Sequence, residues 1–177
     1  MKTKITGFLV ALLMIGGNLF SVLPVGEIPE VITLSEKNGG RVGGDVWSSS
    51  ELVDKVWVLV YADPDESDLN EAATEALKAK DYSDDVYQSV AVINMKATWK
   101  PNVLINIILK GKQKKYPSTV YVRDMKKVLV NKWGLADNSN DIVVFDATGK
   151  VIFSVDGQLG QTEIDEMLSL IDAELAK

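Results

Sequence analysis

The chain has 177 residues, 46% of them hydrophobic, and carries a net charge of −6 from 25 Asp and Glu against 19 Lys and Arg. That is enough apolar material for one domain with a real core, and the acidic balance excludes an ordinary nucleic-acid binder, whose affinity comes from neutralising phosphates. Cysteine and histidine are both absent, so this chain alone supports no thiol redox chemistry, no imidazole-held metal and no Ser-His-Asp or Cys-His catalysis.

The first segment reads as a secretory signal peptide, residues 1–21. Lys2 and Lys4 form a positive start, and an apolar run from Phe8 to Ile15 follows. Gly16, Gly17 and Asn18 then break the helix before Ser21, the best small residue for a cut. Without a cut the segment would serve as an N-terminal anchor, and a third reading makes it a buried helix of the fold. Its removal takes two lysines and no acids, leaving a charge of −8 on a single domain, 22–177.

Val31 to Ser35 alternates as a half-buried strand, and Asn38-Gly39-Gly40 is a turn signal that returns the chain at Arg41 and Val42. Trp47 reads as a packing residue, and Ser48 to Ser50 offer N-caps ahead of a short turn containing Leu52. Lys55 to Ala62 (KVWVLVYA) is a strand buried on both faces, the centre of the sheet. The acidic turn Asp63 to Asp68 follows, then a helix from Leu69 to Lys80 facing the sheet through Leu69, Ala72, Ala73, Ala76 and Leu77. Tyr82 to Asp85 connects to a second buried strand, Ser89 to Asn94, expected parallel to the first because a helix intervenes.

A loop from Met95 to Lys100 leads to Pro101, well placed in the first turn of a helix. Val103, Leu104, Ile107 and Ile108 give that helix an apolar face, and it is expected to end near Gly111. Lys110, Lys112, Lys114 and Lys115 read as a solvated helix end suited to the dipole. Thr119 to Arg123 is a short strand of undetermined rank, and Met125 to Trp133 a helix stopped by Gly134. Asp141 to Asp146 and Val151 to Val155 form a β-hairpin around Ala147-Thr148-Gly149-Lys150. Thr162 caps a terminal helix whose core face is Ile164, Met167, Leu168 and Ile171.

This order gives an α/β fold with a mixed central sheet, helices on both faces and an N-terminal β-hairpin extension. The segment VGEIPEVITLSEKNGG and the run Glu51 to Leu59 resemble the opening of secreted thioredoxin-like proteins. More specifically, Trp47-Ser48, Leu52, Lys55-Val56, Leu59, Tyr116-Pro117, Trp133 and the hairpin VVFDATGKVIFSVDGQL resemble the YtfJ family of small periplasmic proteins of Gram-negative bacteria. The resemblance covers nearly all of the mature chain. It implies a thioredoxin-like fold in the periplasm, with no defined family activity. It does not imply redox chemistry, because Asp63 to Asp68 hold no cysteine where that site would need a pair. The facing loop, Asn138-Ser139-Asn140-Asp141, also lacks the proline of such a site. No catalytic residue and no cofactor is carried over.

Two readings of the acidic turn compete. Asp63, Asp65 and Asp68 are hard oxygen ligands that suit calcium or magnesium. Asp68 stands where a calcium loop needs Gly, and Thr74 where it needs Glu. The plainer reading is that acids at a helix N-terminus favour its positive dipole end, with Pro64 starting the turn. The sequence therefore points first to a non-enzymatic binding or accessory module for an unidentified periplasmic protein. Its rim would be Asp65, Glu66, Trp99, Asn138 and Asn140. Trp99 is either an exposed anchor or a residue tucked into the core. The alternative is a divalent-cation-dependent carboxylate enzyme or metal-binding protein using the Asp63–Asp68 turn. An oxidoreductase borrowing a partner's cysteines comes third.

Overall fold

The computed structural model describes residues 22–177, so the expected signal segment lies outside the described residues. The strands are β1 (Thr33–Leu34), β2 (Gly39–Arg41), β3 (Trp47–Ser48), β4 (Val56–Ala62), β5 (Tyr87–Asn94), β6 (Thr119–Asp124), β7 (Asn140–Phe145) and β8 (Val151–Val155). The helices are α1 (Glu71–Ala79), α2 (Asn102–Lys115), α3 (Val128–Trp133) and α4 (Gln161–Leu175). Six strands form one mixed sheet in the order β2-β6-β5-β4-β7-β8. In its middle β4 pairs parallel with β5 and antiparallel with β7. Its β-branched, aromatic and aliphatic residues suit that place, and all but Val60 are buried.

Alternation along β4 sends its side chains to the two faces of the sheet, where three clusters form. Trp57, Leu59 and Tyr61 meet α3 through Leu129 and Trp133, together with Leu34 and Trp47 of the N-terminal extension. On the other face Val56 and Val58 meet α1 and α4 through Ala73, Leu77, Ile164, Met167 and Ile171. Ala62 and Ile93 meet α2 through Ile105 and Leu109. Helices therefore cover both faces, as expected. Thr119–Asp124 proves to be an interior strand, paired with β5 on one side and β2 on the other. Among the described residues no helix is long and apolar enough to cross a membrane.

Four local expectations need correction. The N-terminal extension is present, but the strand at Val31–Ser35 does not pair with Arg41–Val42. Instead β1 pairs with β3, and β2 leaves to edge the main sheet against β6. Gly39 is needed for that approach rather than for a hairpin: a Cβ there would stand 1.8 Å from the Arg123 carbonyl oxygen, at φ +126°. On α1, Ala72 faces solvent while Ala73 and Leu77 face the sheet. α4 begins at Gln161 rather than behind Thr162, and the Gly160 N–H donates to Glu163 Oε2 at 2.5 Å.

The fourth correction is the largest. α2 does not stop at Gly111 but runs to Lys115, and the face it turns to the sheet is Ile105 and Leu109. The expected core residues Val103, Leu104, Ile107 and Ile108 are 71%, 48%, 63% and 49% exposed.

Candidate functional site

The carboxyl ends of β4 and β5 and the start of β7 meet at one end of the sheet, where open α/β sheets usually place ligands. Three loops converge there. The Asp63 N–H donates to the Ser139 carbonyl at 2.9 Å, joining the acidic turn to the loop before β7. The Asn140 side chain donates to the Glu66 carbonyl at 3.1 Å. The loop after β5 is tied in twice: Thr98 Oγ1 donates to Asp65 Oδ2 at 2.7 Å, and Lys100 Nζ lies 2.6 Å from Asp65 Oδ1.

Within this cluster the acids have separate duties. Asp63 is buried, its Oδ1 accepting the Asp65 N–H at 2.8 Å. Burial pushes its carboxyl above the usual range, against that N–H and with help from the charges of Asp65 and Glu66. Lys100, and after it Thr98, hold Asp65 below the usual range. Asp68 accepts from Ser67 Oγ at 3.2 Å. The three metal candidates are thus engaged one by one. Among the described residues no three acidic side chains are grouped as a metal ion would need.

Of the five rim residues, Asp65, Glu66, Trp99 and Asn138 are exposed at this end of the sheet, and Asn140 is not. Asn140 is 1% exposed and faces inward to Asn70. Trp99 is 87% exposed, which corrects the core reading. It stands between Thr98 and Lys100, the two residues that hold Asp65. Asn138 takes a left-handed backbone, φ +58°, which Asn tolerates better than most residues.

Three buried polar residues lie beneath the rim; the sequence reading places Asp141 in the facing loop, whereas Asp124 and Asn70 escape it. Asp124 accepts from the Leu129 and Lys126 N–H groups and from the Tyr61 hydroxyl, at 2.9, 3.0 and 3.3 Å. Tyr61 is raised above its ordinary value, first by burial and then by Asp124. Asp141 receives the Ala136 N–H on Oδ2 at 3.0 Å, while its buried Oδ1 has no partner. Burial, followed by the charge of Asp156, pushes its carboxyl up to about 8. Asn70 completes the set, donating to the Asn140 and Gly157 carbonyls and accepting the Leu159 N–H. The available signal was a lone polar residue at the edge of an apolar run, as in VYVRD and NDIVV.

A separate cleft of about 420 Å³ opens between α1 and α2, floored by Val58, Val60, Ala62 and Ala91 of the sheet. It is of ligand size. Tyr87, Tyr116 and Tyr121 line it together with acidic residues of α1 and Lys112 of α2.

The sheet order, the helices on both faces and the cysteine-free end of β4 define a thioredoxin-like protein without thiols. Solved structures agree on the fold. A thiol:disulfide interchange protein from Chlorobium tepidum superposes with a TM-score of 0.63 at 17% identity, over 86% of this chain and 99% of that one. An exposed lipoprotein thioredoxin from Streptococcus pneumoniae gives 0.57 at 17% identity, over 79% and 98%. The chain belongs to the family described as a bacterial protein of unknown function (YtfJ_HI0045), whose model matches residues 24–174. Two relatives are an uncharacterized protein of Haemophilus influenzae, 32% identical over 130 residues, and the uncharacterized protein YtfJ of Escherichia coli, 30% identical over 128. Each match spans 71% of this chain and 70% of the relative.

Proposed function

We propose that this chain is a non-redox binding or accessory module of the bacterial periplasm, exported by residues 1–21 and working as a single domain, 22–177. The observation that carries the reading is the tether on Trp99. An exposed indole on a loose loop would lose entropy on docking; here Thr98 and Lys100 on either side both grip Asp65. The loop that carries the indole is held in advance, which reduces the ordering cost of binding. Tryptophan is also the residue type most enriched among interface anchors. Asp65, Glu66 and Asn138 surround it with polar groups, as a binding rim requires. The partner favoured is another periplasmic protein rather than a nucleic acid, given the negative charge.

In-cell photo-crosslinking tests this. Crosslinkers at Asp65 and Asn138, with Glu166 on α4 as an off-site control, should give a discrete adduct with a second protein from the two rim positions alone. No rim adduct, or the same adducts from the control, overturns the reading. Fractionation that finds the chain in the cytoplasm overturns the compartment.

A further inference from the structure

The outward side of α2 needs an explanation that the fold does not supply. Ile105 and Leu109 are 4% and 3% exposed and dock the helix, yet Val103, Leu104, Ile107 and Ile108 stand in solvent beside Trp99. Contiguous apolar patches of this kind usually mark an interaction surface. At helical spacing the stripe continues through Gly111, where an added Cβ would meet nothing within 4 Å, into exposed Lys114 and Lys115. Near the start of the helix lies the acidic turn with exposed Asp65, Glu66 and Asp68, tied to the loop before α2 where Thr98 and Lys100 hold Asp65. Along one helix the surface therefore grades from acidic to apolar to basic.

The helix dipole accounts for the basic end of α2, whose own first turn holds no acid, but not for the apolar middle. An anionic membrane surface would favour basic groups throughout, and the acidic turn opposes it. A second copy lying antiparallel satisfies the whole gradient at once. Apolar residues meet apolar residues, and each basic end meets an acidic end, the reciprocity a two-fold axis imposes. Centred between Ile107 and Ile108, this arrangement sets Gly111 opposite Leu104 of the other copy. It also brings Lys114 and Lys115 opposite Pro101 and Lys100 of the other copy, beside the acidic turn whose Asp65 already meets the Lys100 charge. The five apolar side chains offer on the order of 500 Å² per copy, and the charged ends extend this towards the roughly 800 Å² per partner of a standard interface.

We infer that α2 is the face of a homodimer whose two-fold axis passes beside Ile107 and Ile108. The inference does not depend on the binding-module reading. A crosslink at Asp65 returning only a second copy of this chain supports the dimer and not a separate partner. The test is sedimentation equilibrium of the purified full chain at up to about 100 µM, where even weak dimers form. Wild type should show twice the chain mass, and Ile107→Glu should weaken association at least tenfold with unchanged circular dichroism and urea midpoint. Because the chain has no cysteine, Ile107→Cys supplies a single thiol near the axis. Mild oxidation should link two copies through it and should not link Glu166→Cys. Monomeric wild type, or a dimer that Ile107→Glu leaves intact, overturns the inference. A monomer that co-sediments with phosphatidylglycerol vesicles overturns it too, and gives the face to lipid.

Discussion

α1 and α2 fill equivalent places. Each follows a parallel strand and lies on the same face of the sheet. α1 turns its larger apolar residues to that face, Ala73 and Leu77 inward, and shows solvent only small or charged ones, Ala72, Ala79, Glu71, Glu75 and Lys78. α2 also docks with two residues, Ile105 and Leu109, but turns four aliphatic side chains to solvent. The difference separates what the fold uses from what it merely tolerates. Two residues suffice to seat a helix on this sheet, so the outer four answer to some other contact.

The inward pairs give the largest test. Leu77→Ala and Leu109→Ala should each cost about 3 kcal/mol in urea unfolding, from lost burial and a residual cavity. A much smaller loss at Leu109 would mean that α2 is seated by something other than its inner face. The same contrast sorts the two buried aspartates. Asp124 is satisfied by three donors, whereas Asp141 has an oxygen without one. At pH 8 the buried Asp141 carboxyl is partly ionised with no partner on one oxygen, and Asn cannot ionise, so Asp141→Asn should raise stability there by about 2 kcal/mol.

The sign follows from the raised carboxyl. Folding favours protonated Asp141, so its contribution is full below the unfolded carboxylate pKa, near 4, and is lost as pH rises to about 8. The gain from Asn should shrink steadily from pH 8 to pH 4, read as the difference in urea midpoints. A gap that does not vary with pH would count against a neutral Asp141.

Smaller effects belong to the outward residues. Val103→Ser and Ile107→Ser should change monomer stability by less than about 0.5 kcal/mol when measured dilute, as surface substitutions do. A loss of several kcal/mol would show that the outer face is structural after all. Asp65→Asn should cost still less against its ion pair, and the loss should fade in high salt. In dilute monomer, acrylamide should quench one tryptophan readily and three poorly, and Trp99→Phe should abolish the readily quenched fraction, since Trp47, Trp57 and Trp133 are buried.

Much of this architecture was readable in the chain. β4 announces itself as a double-sided apolar run, the parallel β5 follows from the helix between them, and the β7–β8 hairpin follows from its turn residues. α2 misled because it carries two apolar stripes on opposite sides. Val103, Leu104, Ile107 and Ile108 form the wider one, and periodicity locates a stripe without saying which way it faces. At Gly39-Gly40 the turn chemistry was real, both residues having positive φ, but the strands paired with distant partners that local sequence does not name. In the rim, Asp65, Glu66 and Asn138 were legible as polar loop residues. Asn140 was not, because at the first position of a strand a polar residue can face either way. Asp124 is marked only by its place at the end of the apolar run VYVRD, and Asn70, among the polar residues of SDLNEA, carries no sign that it is buried.

Asn70 ties three segments together from one position. A single amide side chain holds the carbonyls of Asn140 and Gly157 and the N–H of Leu159, joining the start of α1, the start of β7 and the connector into α4. None of these segments can swing away without breaking the same joint. In native-state hydrogen exchange, the Leu159 amide and those around the first turn of α1 should therefore open together as one cooperative unit. Tightening the rim by binding should slow exchange at Leu159, on the far side of that joint.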